Sequence, residues 1–174
     1  NNLFNDKKLQ KICSEILKMK DKDLIIAEPQ LRVDEPKNEK FSLDWHQDVS
    51  HYNQDPSGKN SLVLNLIVQS HTKEMGTPLI KIGSHKSGVQ KFTEKKKFKK
   101  SKVSQLIPNK KYLNKNFNVT YVNSKPGDIV IYDMRLLHKS GLNISDKIRV
   151  SVISRAFNPR SPYFKSFRYL TKIF

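Results

Sequence analysis

The sequence holds one cysteine, Cys13, in 174 residues. A single cysteine closes no internal disulfide, which excludes a small disulfide-stapled secreted scaffold and makes a reducing, cytoplasmic location the expectation. No apolar run approaches the roughly 18–20 residues that cross a bilayer. The longest, around 61–68, has the length of a strand. Neither an internal repeat nor a zinc-ligand spacing, helix-turn-helix or RNA-recognition motif is visible. The chain starts at Asn1 rather than methionine, with no basic start followed by an apolar stretch. The expectation is a domain whose N-terminal part lies outside this sequence. Acidic residues are scarce, 16 against 33 basic, for a net charge of +17. Such a field attracts anions, whether nucleic acid, phosphorylated or carboxylated metabolites or acidic headgroups. Lysine is spread along the whole chain among many Asn and Ile, however, so the charge alone names no partner.

What remains is a single domain of 36% apolar residues, long enough for a real core. Residues 7–20 place Leu9, Ile12, Cys13, Ile16 and Leu17 on one helical stripe, with Cys13 as a packing residue rather than a nucleophile. After it come short extended segments punctuated by turns: 24–33 broken at Pro29, 41–49, 61–70, 79–82, 118–122, 129–134 continuing through 136–138, and 148–157. Residues 86–118 are lysine-rich and poorly patterned and read as an inserted lid of loop or helix. The tail from 161 is aromatic and basic. Many short strands behind one helix predict a mainly β fold, a sandwich or jelly roll with flanking helices and a core over about 24–157.

The informative histidine is His46, because Asp48 stands two residues on. In an extended segment both side chains project to one face, with Gln47 turned away. His138, near the end of an apolar strand, can complete two histidines and a carboxylate, a set that occupies one face of Fe(II) and leaves open positions. Taken alone, His-x-Asp is common in solvated loops. Arg149 and Ser151 add to it: alternation puts them on one face of 148–152 and Ile148, Val150 and Val152 on the other. A guanidinium beside a hydroxyl suits a carboxylate. The other reading of Arg149 is a surface pair with Asp146 or Asp128. His85 in its Gly-Ser-His turn reads as a structural residue, and His51 and His71, in polar surroundings, as surface residues.

Three stretches resemble the phytanoyl-CoA dioxygenase family. They are Trp45-His46-Gln47-Asp48; Met75-Gly76-Thr77-Pro78-Leu79 leading to Ile82-Gly83-Ser84-His85; and Pro126-Gly127-Asp128 through His138-Lys139-Ser140-Gly141 and Asn143 to Arg149. Ile82 stands where the family usually has proline, and Asn65 where relatives often place a large aromatic. The resemblance implies a double-stranded β-helix, with Fe(II) held by His46, Asp48 and His138 and 2-oxoglutarate reaching from the metal to Arg149. Sheets packed roughly 10 Å apart leave room for a five-carbon diacid between them. It also implies Ser140 and Gln47 beside the cosubstrate. The implied reaction spends O2 and 2-oxoglutarate to hydroxylate a small molecule, with an anionic one suggested by the charge and by the run from Lys95 to Lys100. Asp48 argues against halogenation, because related halogenases lack the carboxylate. Two other readings stand beside this one: an iron-binding cupin-like protein or inactive homologue without 2-oxoglutarate turnover, and a basic nucleic-acid-binding protein using Phe92, Phe98, Tyr112 and Phe117 for stacking.

Overall fold

Asp6 starts the helix. Its carboxylate accepts from the Leu9 amide at 3.0 Å and caps α1, Lys7–Ile16. The helix is shorter than the apolar stripe suggests: Leu17 is its C-cap and Lys18 turns the backbone to a φ of 53°. Leu9, Cys13 and Leu17 face inward, while Ile16 is half exposed. Cys13 is fully buried, and burial pushes its thiol up to about 11, so it packs and does not react. A computed structural model supplies these coordinates and describes residues 3–39, 42–50, 55–97 and 104–164.

The surface under α1 is a five-stranded antiparallel sheet. Its strands are β1 (Ile25–Ile26), β2 (Gln30–Asp34), β3 (Ser61–Ile67), β8 (Ile129–Asp133) and β10 (Arg149–Phe157). β1 and β2 both pair with β10 on one edge, as a strand interrupted where Pro29 cannot donate to the ladder. β10 then pairs with β3, and β3 with β8. Alternation sorts the two faces. Leu62, Leu64, Leu66, Ile129, Ile131, Val152 and Ala156 pack outward against α1. Each fully buried leucine there contributes about 1.5–3 kcal/mol. Val63 and Phe157 face inward and pack with Val49 and Met134.

A second sheet closes over that inner face. It consists of β7 (Val119–Tyr121), β4 (Leu79–Lys81) and β9 (His138–Lys139), with β4 in the middle. Residues 136–138 therefore do not extend β8. The chain turns at 134–137 and carries His138 across to the other sheet. The result is a mainly β, two-sheet jelly roll with a helix on one outer face. The lysine-rich region is not loop and helix alone: β5 (Phe92–Lys97) and β6 (Ser104–Pro108) form an antiparallel hairpin, followed by the helical turn α2, Lys110–Leu113. Phe98 and the lysines at 99 and 100 lie outside the described residues. Among the described residues no helix is long and apolar enough to cross a membrane.

Gly76 and Gly141 sit backbone to backbone. A Cβ on Gly76 would lie 2.6 Å from the Gly141 carbonyl oxygen, and its φ is +77°. This contact ties the loop after His138 to the turn before β4. Gly76→Ala should destabilise the fold by about 2–4 kcal/mol, from left-handed backbone strain plus a clash with main chain that cannot swing aside. Urea unfolding monitored by circular dichroism measures the loss; an unchanged midpoint would show that the loop gives way freely.

Candidate metal centre

His46 and His138 meet through a single antiparallel bridge: the His46 amide donates to the His138 carbonyl at 3.0 Å, and the reverse bond is 3.1 Å. Their rings stand side by side, centroids 4.2 Å apart. His46 is not on a strand, although an extended segment was expected there. Asp48 opens a 3-10 turn, Asp48–Ser50, pinned by Val49 donating to the Met134 carbonyl at 3.1 Å. The turn brings Asp48 back under both imidazoles.

The ring orientations are set from behind. Nδ1 of His46 lies 2.7 Å from the Asp44 carbonyl, and Nδ1 of His138 lies 3.0 Å from the Leu136 carbonyl. A carbonyl can only accept, so each Nδ1 carries a proton and each Nε2 is the nitrogen turned toward Asp48. Both Nε2 atoms lie 3.4 Å from Asp48 Oδ1. The three ligand atoms all fall within 4.8 Å of one another, and all three residues are buried. Burial, and then the neighbouring His138, hold His46 below the usual histidine range, which keeps it in the neutral ligand form. Burial also acts on Asp48, in the upward direction. The adjoining His138 and His46 rings and the charge of Arg155 outweigh it and hold the carboxyl well below its usual range. Two imidazoles and one carboxylate that converge this closely suit a divalent ion.

The same cavity runs on to Arg149. Its lining includes His46, Asp48, His138, Asn65, Ser140 and Arg149. Arg149 is only 2% exposed, and its Nη2 donates to Asp34 Oδ2 at 2.6 Å. It is therefore not a surface pair with Asp146 or Asp128. Its Nε and Nη1 are buried and have no partner, nor has Oδ1 of Asn65. Orphaned guanidinium N–H groups at this depth are costly unless something accepts from them. A carboxylate fits that requirement. Asp34 is shared with Arg32, which holds it from Nε and Nη2 at 2.7–3.1 Å. Burial would raise the Asp34 carboxyl, but Arg32 and then Arg149 hold it below its ordinary value.

A family model for phytanoyl-CoA dioxygenase matches residues 2–151. The chain belongs to the phytanoyl-CoA dioxygenase family. Comparison with curated protein sequences finds no match. Among solved structures, EvdO2 from Micromonospora carbonacea var. aurantiaca, complexed with 2-oxoglutarate, is similar at 17% identity and a TM-score of 0.69, over 90% of this chain and 62% of its own. EctD from S. alaskensis, with bound Fe, gives 18% and 0.69 over 89% and 51%. AviO1 from Streptomyces viridochromogenes gives 18% and 0.65 over 94% and 63%. At these identities the likeness is one of fold, and this phytanoyl-CoA dioxygenase family chain spans less than two thirds of each.

Within the family frame the remaining candidates separate. Ser140 lines the cavity, and its Oγ accepts from Arg32 at 3.0 Å and from the Leu43 amide at 3.2 Å. Ser151 lines it beside Arg149. Gln47 does not reach it. That side chain points the other way, donating to the Gly88 and Arg135 carbonyls at 3.0 and 2.6 Å and accepting from the Gln90 amide at 2.8 Å. It ties the metal loop to 88–90, as alternation alone would have it. His71 is not at the surface: it is 4% exposed, with Nε2 3.0 Å from the Val150 carbonyl. His85 is half-buried in the turn Ser84–Ser87, away from the trio, and His51 lies outside the described residues. Two charged partners of the candidate residues went unread in the sequence, Asp34 beside Arg149 and Arg155 beside Asp48. Arg155 was within reach, because it stands six residues after Arg149 on the same face of an alternating strand.

Proposed function

We propose that this chain is an Fe(II)- and 2-oxoglutarate-dependent oxygenase that hydroxylates a small molecule carrying an anionic group. One observation carries the reading: the His46, Asp48 and His138 trio and the half-paired Arg149 guanidinium line a single cavity. His46, Asp48 and His138 would hold the iron. Arg149, flanked by Ser151 and Ser140, would take the far carboxylate of 2-oxoglutarate. When bound, metal and cosubstrate supply the oxidising chemistry, in which O2 converts 2-oxoglutarate to succinate and CO2 and a substrate C–H becomes C–OH.

The chain's own share is positioning and electrostatics. The Asp44 and Leu136 carbonyls hold both imidazoles with Nε2 turned toward the metal position. Arg32 and Arg149 line the cavity and share one carboxylate, Asp34, and the positive charge left over favours an anionic cosubstrate. The iron bound in EctD and the 2-oxoglutarate bound in EvdO2 support the same pair here. The net charge of +17 supports an anionic substrate, with the β5–β6 hairpin as a lid over a single oxygenase domain whose core spans 24–157.

Anaerobic titration with Fe(II) and then 2-oxoglutarate tests this. The expected result is a weak visible charge-transfer band that appears only when both are present and is lost in His138→Ala. Iron binding without the band would remove 2-oxoglutarate from the reading and leave a cupin-like metal protein.

A further inference from the structure

Asp48 is held from two sides. Its Oδ1 faces both histidine Nε2 atoms at 3.4 Å, while its Oδ2 accepts from Arg155 Nη2 at 2.8 Å. The contact crosses the molecule: Asp48 belongs to the turn after His46, and Arg155 stands in the middle of β10 on the opposing sheet. Arg155 is firmly based. Its backbone pairs with Val63 of β3, its carbonyl accepts from the Ala27 amide at 2.8 Å, and Nη1 donates to Gln30 Oε1 at 3.2 Å. Both side chains of the pair are nearly buried, 11% and 8% exposed. A charge-assisted hydrogen bond in such a setting is short and directional. To present both oxygens to an ion between the histidines, Asp48 would have to share Oδ2 between the ion and Arg155, or give that bond up.

We propose that Arg155 is a positioning residue for the metal centre, holding Asp48 as a one-oxygen ligand and so keeping open the coordination position that a chelating Asp48 would occupy. The proposal rests on the oxygenase reading, in which a two-oxygen chelate from 2-oxoglutarate and then O2 need three open positions beside the three protein ligands. Arg155 itself touches neither cosubstrate nor metal in this scheme. It acts through Asp48.

The test uses Co(II), which reports coordination in its visible spectrum and does not turn over. Wild type, Arg155→Met and Arg155→Lys are loaded with Co(II) and titrated with 2-oxoglutarate, and apo-protein melting is followed alongside. In R155M the Co(II) spectrum should change and 2-oxoglutarate binding should weaken at least about tenfold, with R155K recovering part of both because an ammonium can still meet Oδ2. A folded R155M with the wild-type spectrum and wild-type 2-oxoglutarate affinity overturns the proposal. So does a crystal structure of Co(II)-loaded wild type with both Asp48 oxygens on the metal, a result that needs no variant to fold. Failure of wild type to bind Co(II) or 2-oxoglutarate is a different outcome and overturns the oxygenase reading beneath it.

Discussion

Asp48→Asn should lower the affinity for Fe(II) by well over 100-fold and abolish turnover, while the apo-protein stays folded. Removing partners that only orient metal ligands costs about 10–100-fold, so loss of the anionic ligand itself should exceed that range. The amide is isosteric and can still accept from Arg155 through its oxygen. Its nitrogen would then face the histidines, where it offers no lone pair to a cation. Asp48→Ala is the harsher change. It takes from Arg155 the carboxylate it is paired with in a nearly buried setting, and breaking such a pair costs about 3–5 kcal/mol. A metal titration on both variants, with apo-protein melting, separates ligand loss from fold loss. Wild-type iron affinity in D48N would mean that the ion, if one binds, sits elsewhere.

That separation was not available from the sequence, which shows His46 and Asp48 as an i, i+2 pair and nothing of what stands behind them. The pair was legible only together with His138, Arg149 and the motifs around them, because His-x-Asp by itself is common. Its backbone was not: a strand and a one-residue bridge followed by a 3-10 turn both bring positions 46 and 48 together, and the choice depends on Met134 and His138, some 90 residues away. β10 was the most readable element. Strict alternation of Val150, Val152 and their neighbours puts Arg149 and Ser151 on the inner face, and the same count carried two steps further reaches Arg155. Asp34 was hidden by its neighbours, because the charged run from 34 to 40 looks like a loop while the strand that ends at Asp34 pairs with β10. The β5–β6 hairpin was hidden for a related reason: a run of consecutive lysines carries no period of two on which a strand prediction can rest. His71 misled through its polar flanks, since burial there comes from the Val150 and Ser124 backbone across the fold.

Arg149→Ala should weaken 2-oxoglutarate binding by about 10–150-fold, the equivalent of about 1.5–3 kcal/mol for a hydrogen-bonded pair to a charged group. Metal affinity should stay within about twofold of wild type. The split follows from geometry. Arg149 is bonded to Asp34 and contacts none of the three metal ligands, whereas its Nε and Nη1 are the buried donors with nothing to donate to. The fold should tolerate the change, because Asp34 keeps its two-pronged pair with Arg32. Arg149→Lys sharpens the point. An ammonium keeps the charge but cannot serve Asp34 and a second carboxylate with one planar fork, so binding should fall between wild type and R149A. The measurement is 2-oxoglutarate affinity of the Co(II)-loaded variants, with Co(II) affinity as the internal reference. Equal 2-oxoglutarate binding in wild type and R149A would shift the anchor to Arg32, which lines the same cavity from β2. If the orphaned donors are there for a carboxylate, succinate, which shares the distal carboxylate, should bind wild type more weakly than 2-oxoglutarate and lose the same factor in R149A. A metal-chelating monoacid such as pyruvate should be indifferent to position 149.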